Sequence, residues 1–268
     1  MDYIAFIAGL PEMARGEWKP PLSVFDFREQ LKDYVREKDR QLLDLFFLPR
    51  DHVQVLRLLR KEKPDVLQTV FPLQVLEEEV IAPDDRIPAY LRHFITDFKE
   101  GHLEEGLLPE NVLSWRYYDY LQQSGNRLVR EYAAYSLNLK NLEVALNARK
   151  HGREIAREIV GANAFADALR ASGSRDFGLS ADYPYVEQVI AIMELEDLVE
   201  RERRLDLMLW DFLEEAVKFE YFSFERVLSY MLRLMLLERW ERMSPETGRR
   251  VFMELLERFR QGFQFKDV

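Results

Sequence analysis

An all-α fold is predicted by three features of the sequence. Apolar residues recur with helical period along most of its length, and alternating β-branched runs are nearly absent. Glycine and proline, the residues that punctuate strands and turns, number only eleven each in 268 residues.

The elements follow in order. Ser23 is placed to cap a helix running to about Lys38, with Asp26 near its positive end. A second helix is expected to end near Leu48, stopped by Pro49, and Asp51 to cap a third that reaches about Lys63. Pro72, Pro83 and Pro88 punctuate shorter pieces, and Gly101 to Pro109 reads as a loop leading into a helix at Glu110. From Leu128 to Gly152 the pattern is clearest. Leu128, Tyr132, Tyr135, Leu139, Leu142 and Leu146 step by four and three, a heptad seam suited to packing along another long, antiparallel helix. Arg149, Lys150 and His151 followed by Gly152 read as a helix end, with cations in the last turn and then a residue free to adopt positive φ.

A second long helix is predicted over Tyr183–Glu220, roughly 38 residues or about 57 Å if unbroken. Its apolar positions flank a charged waist, Glu200-Arg201-Glu202-Arg203-Arg204, which reads as a solvated stretch or a kink. Phe224 to Trp240 is apolar almost all round and should lie buried on most faces. Ser244 and Pro245 then suit the cap and first position of a last helix. The chain reads as one helical subunit over 1–268 with weak internal repetition: residues 27–61, 117–153 and 198–240 each join an amphipathic helix to a Leu- and Arg-rich segment.

Composition narrows the function. A net charge of −10 argues against broad binding to nucleic acid or anionic lipid, both of which need a basic footprint. The absence of cysteine removes disulfides, thiolate nucleophiles and thiolate metal ligands, and suits a reducing compartment. Neither Tyr3–Leu10 nor Leu228–Leu237, which Arg233 interrupts, is long enough to span a membrane.

No catalytic constellation stands out. The four histidines are scattered, without the i, i+4 pairing of a helical zinc site or the Glu-x-x-His of a di-iron site. Asp84-Asp85 is an isolated acidic pair bracketed by Pro83 and Pro88, which suits a turn better than a magnesium site. Asp176-Phe177-Gly178 matches the metal-binding triplet of protein kinases with no other part of that signature, so Gly173–Ser180 reads as an ordered connection. No catalytic residue, metal site or cofactor is expected. The chain reads as a soluble protein that holds other proteins together.

One segment carries a resemblance. Asn141-Leu142-Glu143-Val144-Ala145-Leu146-Asn147-Ala148-Arg149-Lys150-His151-Gly152 is similar to a helix end in the C/d family of V/A-type (V-type) rotary ATPase central-stalk proteins, which has prokaryotic and eukaryotic members. The likeness rests on Asn141, Leu142, Leu146, Ala148, Arg149 and Gly152. It departs at Glu143 and Asn147, where that family commonly carries basic residues. Ala8-Gly9-Leu10-Pro11, Leu43–Leu48, Ser174–Ser180, Glu202–Asp206 and Leu237–Trp240, in that order, resemble a divergent bacterial branch associated with V-type ATPase genes.

The resemblance implies a funnel of three related helical units around a pseudo-threefold axis. It also implies a cytoplasmic, membrane-peripheral protein without catalysis, seated between the rotor shaft and the membrane proteolipid ring as its partners. Charged helix ends would grip those neighbours, and the candidates are Lys140, Arg149, Lys150, Arg153, Arg175, Asp176, Arg203 and Arg204. Two other readings stay open: a metal-dependent all-α enzyme acting on a hydrophobic substrate, and an unrelated soluble helical adaptor.

Overall fold

The structure, a computed structural model, describes residues 3–17, 19–65, 68–104 and 106–242. Among these residues the fold is all-α. In chain order the helices are α1 (Ile4–Ala8), α2 (Val24–Leu31), α3 (Glu37–Asp44), α4 (Leu48–Leu59), α5 (Leu73–Ile81) and α6 (Ala89–Glu100). They continue as α7 (Pro109–Gln122), α8 (Arg127–Lys150), α9 (Ala164–Ala171), α10 (Tyr185–Met193), α11 (Leu198–Ala216) and α12 (Phe224–Arg242). A 3₁₀ turn at Ile155–Arg157 separates α8 from α9. The helix predicted from Ser244 lies outside the described residues.

The cap expected at Ser23 is present. Ser23 Oγ accepts from the Asp26 amide at 2.9 Å. Asn126 and Asn163 likewise accept from Val129 and Ala166, which satisfies amides that have no intrahelical partner. Three boundaries differ from expectation. α2 stops at Leu31 and the chain turns before α3, instead of continuing to Lys38. Pro49 opens α4 rather than stopping a helix: its missing N–H is one of the unpaired first-turn donors, and its fixed φ suits the helix. Asp51 is not a cap. It is wholly buried inside α4 and accepts from the amides of Val70 and Phe71, each at 3.0 Å.

The long helix expected over Tyr183–Glu220 is two helices. Asp197 Oδ1 accepts from the amides of Val199 at 2.9 Å and Glu200 at 3.1 Å and so starts α11 afresh. The break precedes the charged waist instead of falling within it.

The described residues divide into two compact units, one of residues up to Arg36 with those from Glu202 onward, the other Glu37–Arg201. The division falls in the first turn of α11.

In the first unit α12 is buried on most faces, as its apolar sequence predicts. Trp210 and Trp240 are fully buried and stacked with ring centroids 6.4 Å apart. The Trp240 indole donates to the buried Asp206 carboxylate at 2.8 Å, and Ser229 Oγ donates to the Leu213 carbonyl at 2.8 Å. Arg233, the charge that interrupts the apolar run, is buried against the Trp210 ring and paired with Glu214. The early segment docks here too. Phe27 stacks on Tyr230, whose hydroxyl donates to the Pro11 carbonyl at 2.9 Å, and Arg15 forms a two-pronged pair with Asp211.

The second unit is built round α8, which packs against α7, α9, α10 and the 3₁₀ turn, while α4 packs against α5 and α6. The heptad seam is only part of the α8 interface. Leu128, Leu139 and Leu142 are buried, whereas Tyr132, Tyr135 and Leu146 are half-buried. A second line, Val129, Ala133, Leu137, Asn141, Ala145 and Ala148, is buried throughout. Its alanines let neighbouring elements approach closely, so α8 is enclosed from several sides instead of along one stripe. No helix of the described residues is long and apolar enough to cross a membrane.

Candidate functional site

Lys140, Arg149, Lys150, Arg153, Arg175 and Asp176 belong to the second unit, and Arg203 and Arg204 to the first. Only Arg149, Arg175 and Asp176 come together, at the end of α8. The helix finishes there as its sequence predicts. Gly152 has φ +65°, the Arg153 amide reaches the Ala148 carbonyl at 2.8 Å, and the Gly152 amide reaches that of Arg149 at 3.2 Å.

From the last turn of α8, Arg149 reaches across to the segment that follows α9. Its guanidinium donates to the carbonyls of Ser174 at 2.8 Å, Arg175 at 3.2 Å and Ser172 at 3.4 Å, and lies 3.8 Å from the centroid of the Phe177 ring. Phe177 itself has φ +57°, rare for a bulky residue, and is 1% exposed. Asp176 closes the turn. Its Oδ1 accepts from the Gly178 amide and the Ser174 hydroxyl, each at 3.0 Å. The Gly178 amide, with help from Ser180 and Ser174, holds this carboxyl well below its usual range. The triplet Asp176-Phe177-Gly178 is thus a side-chain-closed turn pinned by an arginine.

The other candidates have more local roles. Lys140 is exposed and donates to Ser114 Oγ at 3.2 Å. Arg153 pairs with Glu158 at 2.9 Å, Arg175 with Glu187 at 2.7 Å, and Lys150 is exposed. Arg203 donates to the Gly16 carbonyl at 2.7 Å, and Arg204 is exposed. The waist is not simply solvated: Glu202 pairs with Arg239, which also holds Asp206 at 3.1 Å.

A second feature of the Glu37–Arg201 unit is announced by no motif in the sequence. A cleft of about 590 Å³ lies between α6, α7 and the segment joining them. α6 contributes Tyr90, His93 and Asp97 to it, the connection Glu104, and α7 Trp115, Arg116 and Asp119. On α6 the spacings of three and four place Tyr90, His93 and Asp97 on one helix face, and on α7 Asp119 lies three and four positions beyond Arg116 and Trp115. Arg116 bridges the walls, donating to Asp97 Oδ2 at 2.6 Å and to Glu104 at 3.2 Å. Beneath the cleft, the Tyr90 hydroxyl shares a 2.6 Å hydrogen bond with Nε2 of buried His52. Burial lowers the His52 pKa to about 3 and raises that of Tyr90, so both are neutral.

Elsewhere Asp84 and Asp85 occupy a turn, where the Asp84 amide donates to buried Glu79 at 2.7 Å and the Asp85 amide to Asp84 at 2.8 Å. Among the described residues no group of three or more His, Asp or Glu side chains is close enough to hold a metal ion.

Among the described residues the protein is all-helical, with polar clusters at the end of α8 and in the α6–α7 cleft. Residues 1–263 match the family described as Protein of unknown function (DUF2764), and the chain belongs to that family. No curated protein matches the chain, and no solved structure does.

Proposed function

We propose that the chain is a non-catalytic central-stalk component of a V-type rotary ATPase, linking the rotor shaft to the membrane proteolipid ring. In this reading three related helical units surround a pseudo-threefold axis and form a funnel. The protein is cytoplasmic and attached to the membrane through the complex.

One observation carries the proposal. The residues on which the likeness to the rotary ATPase C/d family rests are those that build the end of α8. Asn141 pairs with both the amide and the carbonyl of Val160, at 3.1 and 2.6 Å. Leu142 and Ala148 are fully buried, Arg149 pins the Ser172–Phe177 segment, and Gly152 supplies the positive φ that ends the helix. A likeness scattered over solvent-facing residues would be cheap. This one follows a structural unit, and a torque-bearing link needs such stiff helix ends.

The test is affinity purification of the tagged full chain from detergent extracts of its native host. Rotary ATPase shaft and proteolipid components should co-elute, and deletion of the gene should leave ATP hydrolysis uncoupled from ion transport. Recovery of neither shaft nor ring at both low and moderate salt would overturn the proposal.

A further inference from the structure

The cleft between α6 and α7 has a chemistry of its own. Three carboxylates, Asp97, Glu104 and Asp119, face a single guanidinium, that of Arg116, so the lining is acidic overall. Arg116 uses Oδ2 of Asp97, and Gln123 donates to Oδ2 of Asp119 at 2.8 Å. Among the described residues, Oδ1 of both carboxylates keeps acceptor capacity. Trp115, half-buried, adds an indole, the aromatic ring that attracts cations best.

A second hollow shares part of this lining. A smaller hollow of about 150 Å³, bordered by Leu137, Gly161 and Asn163, shares Trp115 and Asp119 with the cleft. Gly161 borders this hollow. Its φ is +92°, and a Cβ there would stand 3.4 Å from Leu137 Cδ2 and 3.9 Å from Trp115 Cδ1. This groove of two adjoining hollows offers a charged main lobe, a shared aromatic side chain and a smaller lobe with an aliphatic side.

We propose that this groove binds an alkyl cation: an ammonium or guanidinium carried on an aliphatic stem. Carboxylate acceptors take the charged head, the indole faces the cation, and the stem runs along Trp115 towards Leu137. An anion is disfavoured because the one guanidinium in the lining is already shared between two carboxylates. Two sources carry the same chemistry, a free polyamine and an arginine or lysine side chain of a partner protein. The groove binds such a cation whether or not the chain joins a rotary ATPase.

The experiment titrates the full-length, ¹⁵N-labelled protein and follows the Trp115 indole resonance, assigned with Trp115→Phe. The probes are spermidine, the peptide acetyl-Gly-Arg-Gly-amide and, as control, acetyl-Gly-Glu-Gly-amide. The cationic probes should shift the resonance saturably, with affinity falling as salt rises. Asp119→Asn should weaken binding about tenfold, as loss of a charge-assisted contact does. Response to spermidine alone assigns a free amine, and response to the arginine peptide alone or to both admits a partner side chain. The proposal fails if neither cation shifts the indole up to about 10 mM, if the glutamate peptide binds equally, or if a folded Asp119→Asn protein binds as tightly as the parent. The comparison of probes and the salt series use the unmodified protein, so they decide the matter even if the variant does not fold.

Discussion

His52 sits in an environment far from that of its free side chain. It lies on α4, buried under the cleft, against the rings of Tyr90 and Tyr117. Its pKa falls from 6.5 to about 3 because burial penalises the charged form. The unfolded chain therefore binds a proton near pH 6.5 that the folded chain refuses until about pH 3. Stability from this residue is complete above pH 6.5 and is lost as pH falls towards 3, at up to about 1.4 kcal/mol per pH unit. Denaturant titrations across this range should show that slope, and His52→Gln should flatten it by a similar amount. An unchanged slope would mean that the imidazole can be protonated in place. Little of this was legible in the sequence, where His52 is one of four scattered histidines. Its partner Tyr90 is 38 positions away, and only the pairing of α4 with α6 brings them together.

At the scale of elements, the end of α8 shows what local chemistry reveals and what it hides. Arg149, Lys150, His151 and Gly152 are legible as a helix end because cap preferences depend on a few adjacent residues. The work Arg149 does is not legible, since its carbonyl partners lie beyond α9. Arg149→Ala removes contacts to three carbonyls and to the Phe177 ring, and should destabilise this unit by about 1–2 kcal/mol. It should also raise proteolytic cleavage within Ser172–Gly178. Arg149→Lys should restore only a minor part, because an ammonium cannot span those carbonyls while lying flat on a ring. Full rescue by lysine would show that charge alone holds the segment. Helix breaks were harder to read than helix ends. No proline or glycine marks the gap between α10 and α11, and the apolar pattern runs across it. The available signal was Asp197 followed three residues later by Glu200, the spacing of a capping box. The cleft was hidden for a related reason: Asp97, Glu104, Trp115 and Asp119 look like ordinary surface positions until α6 and α7 are known to be neighbours.

For the whole molecule, the sequence conveyed the all-α class and the burial of α12, but not the division into two units. That division depends on which distant segments meet. Residues 3–17 supply the Pro11 carbonyl to Tyr230, Arg15 to Asp211 and the Gly16 carbonyl to Arg203. Deleting them should cut amide protection in α12 by tenfold or more in native-state hydrogen exchange, while α8 amides keep theirs. Equal loss in both helices would show that the two units open together.

The same arrangement sets an order of events during synthesis. The Glu37–Arg201 unit is one continuous stretch, and its helices can pack as soon as they leave the ribosome. The segment before it must wait for α11 and α12, a delay on the order of 10–40 s at ordinary rates of translation. During that interval Tyr3 and Phe27, which meet Phe224 and Tyr230 in the finished fold, have no α12 to cover them. The early segment is thus made well before it can be packed.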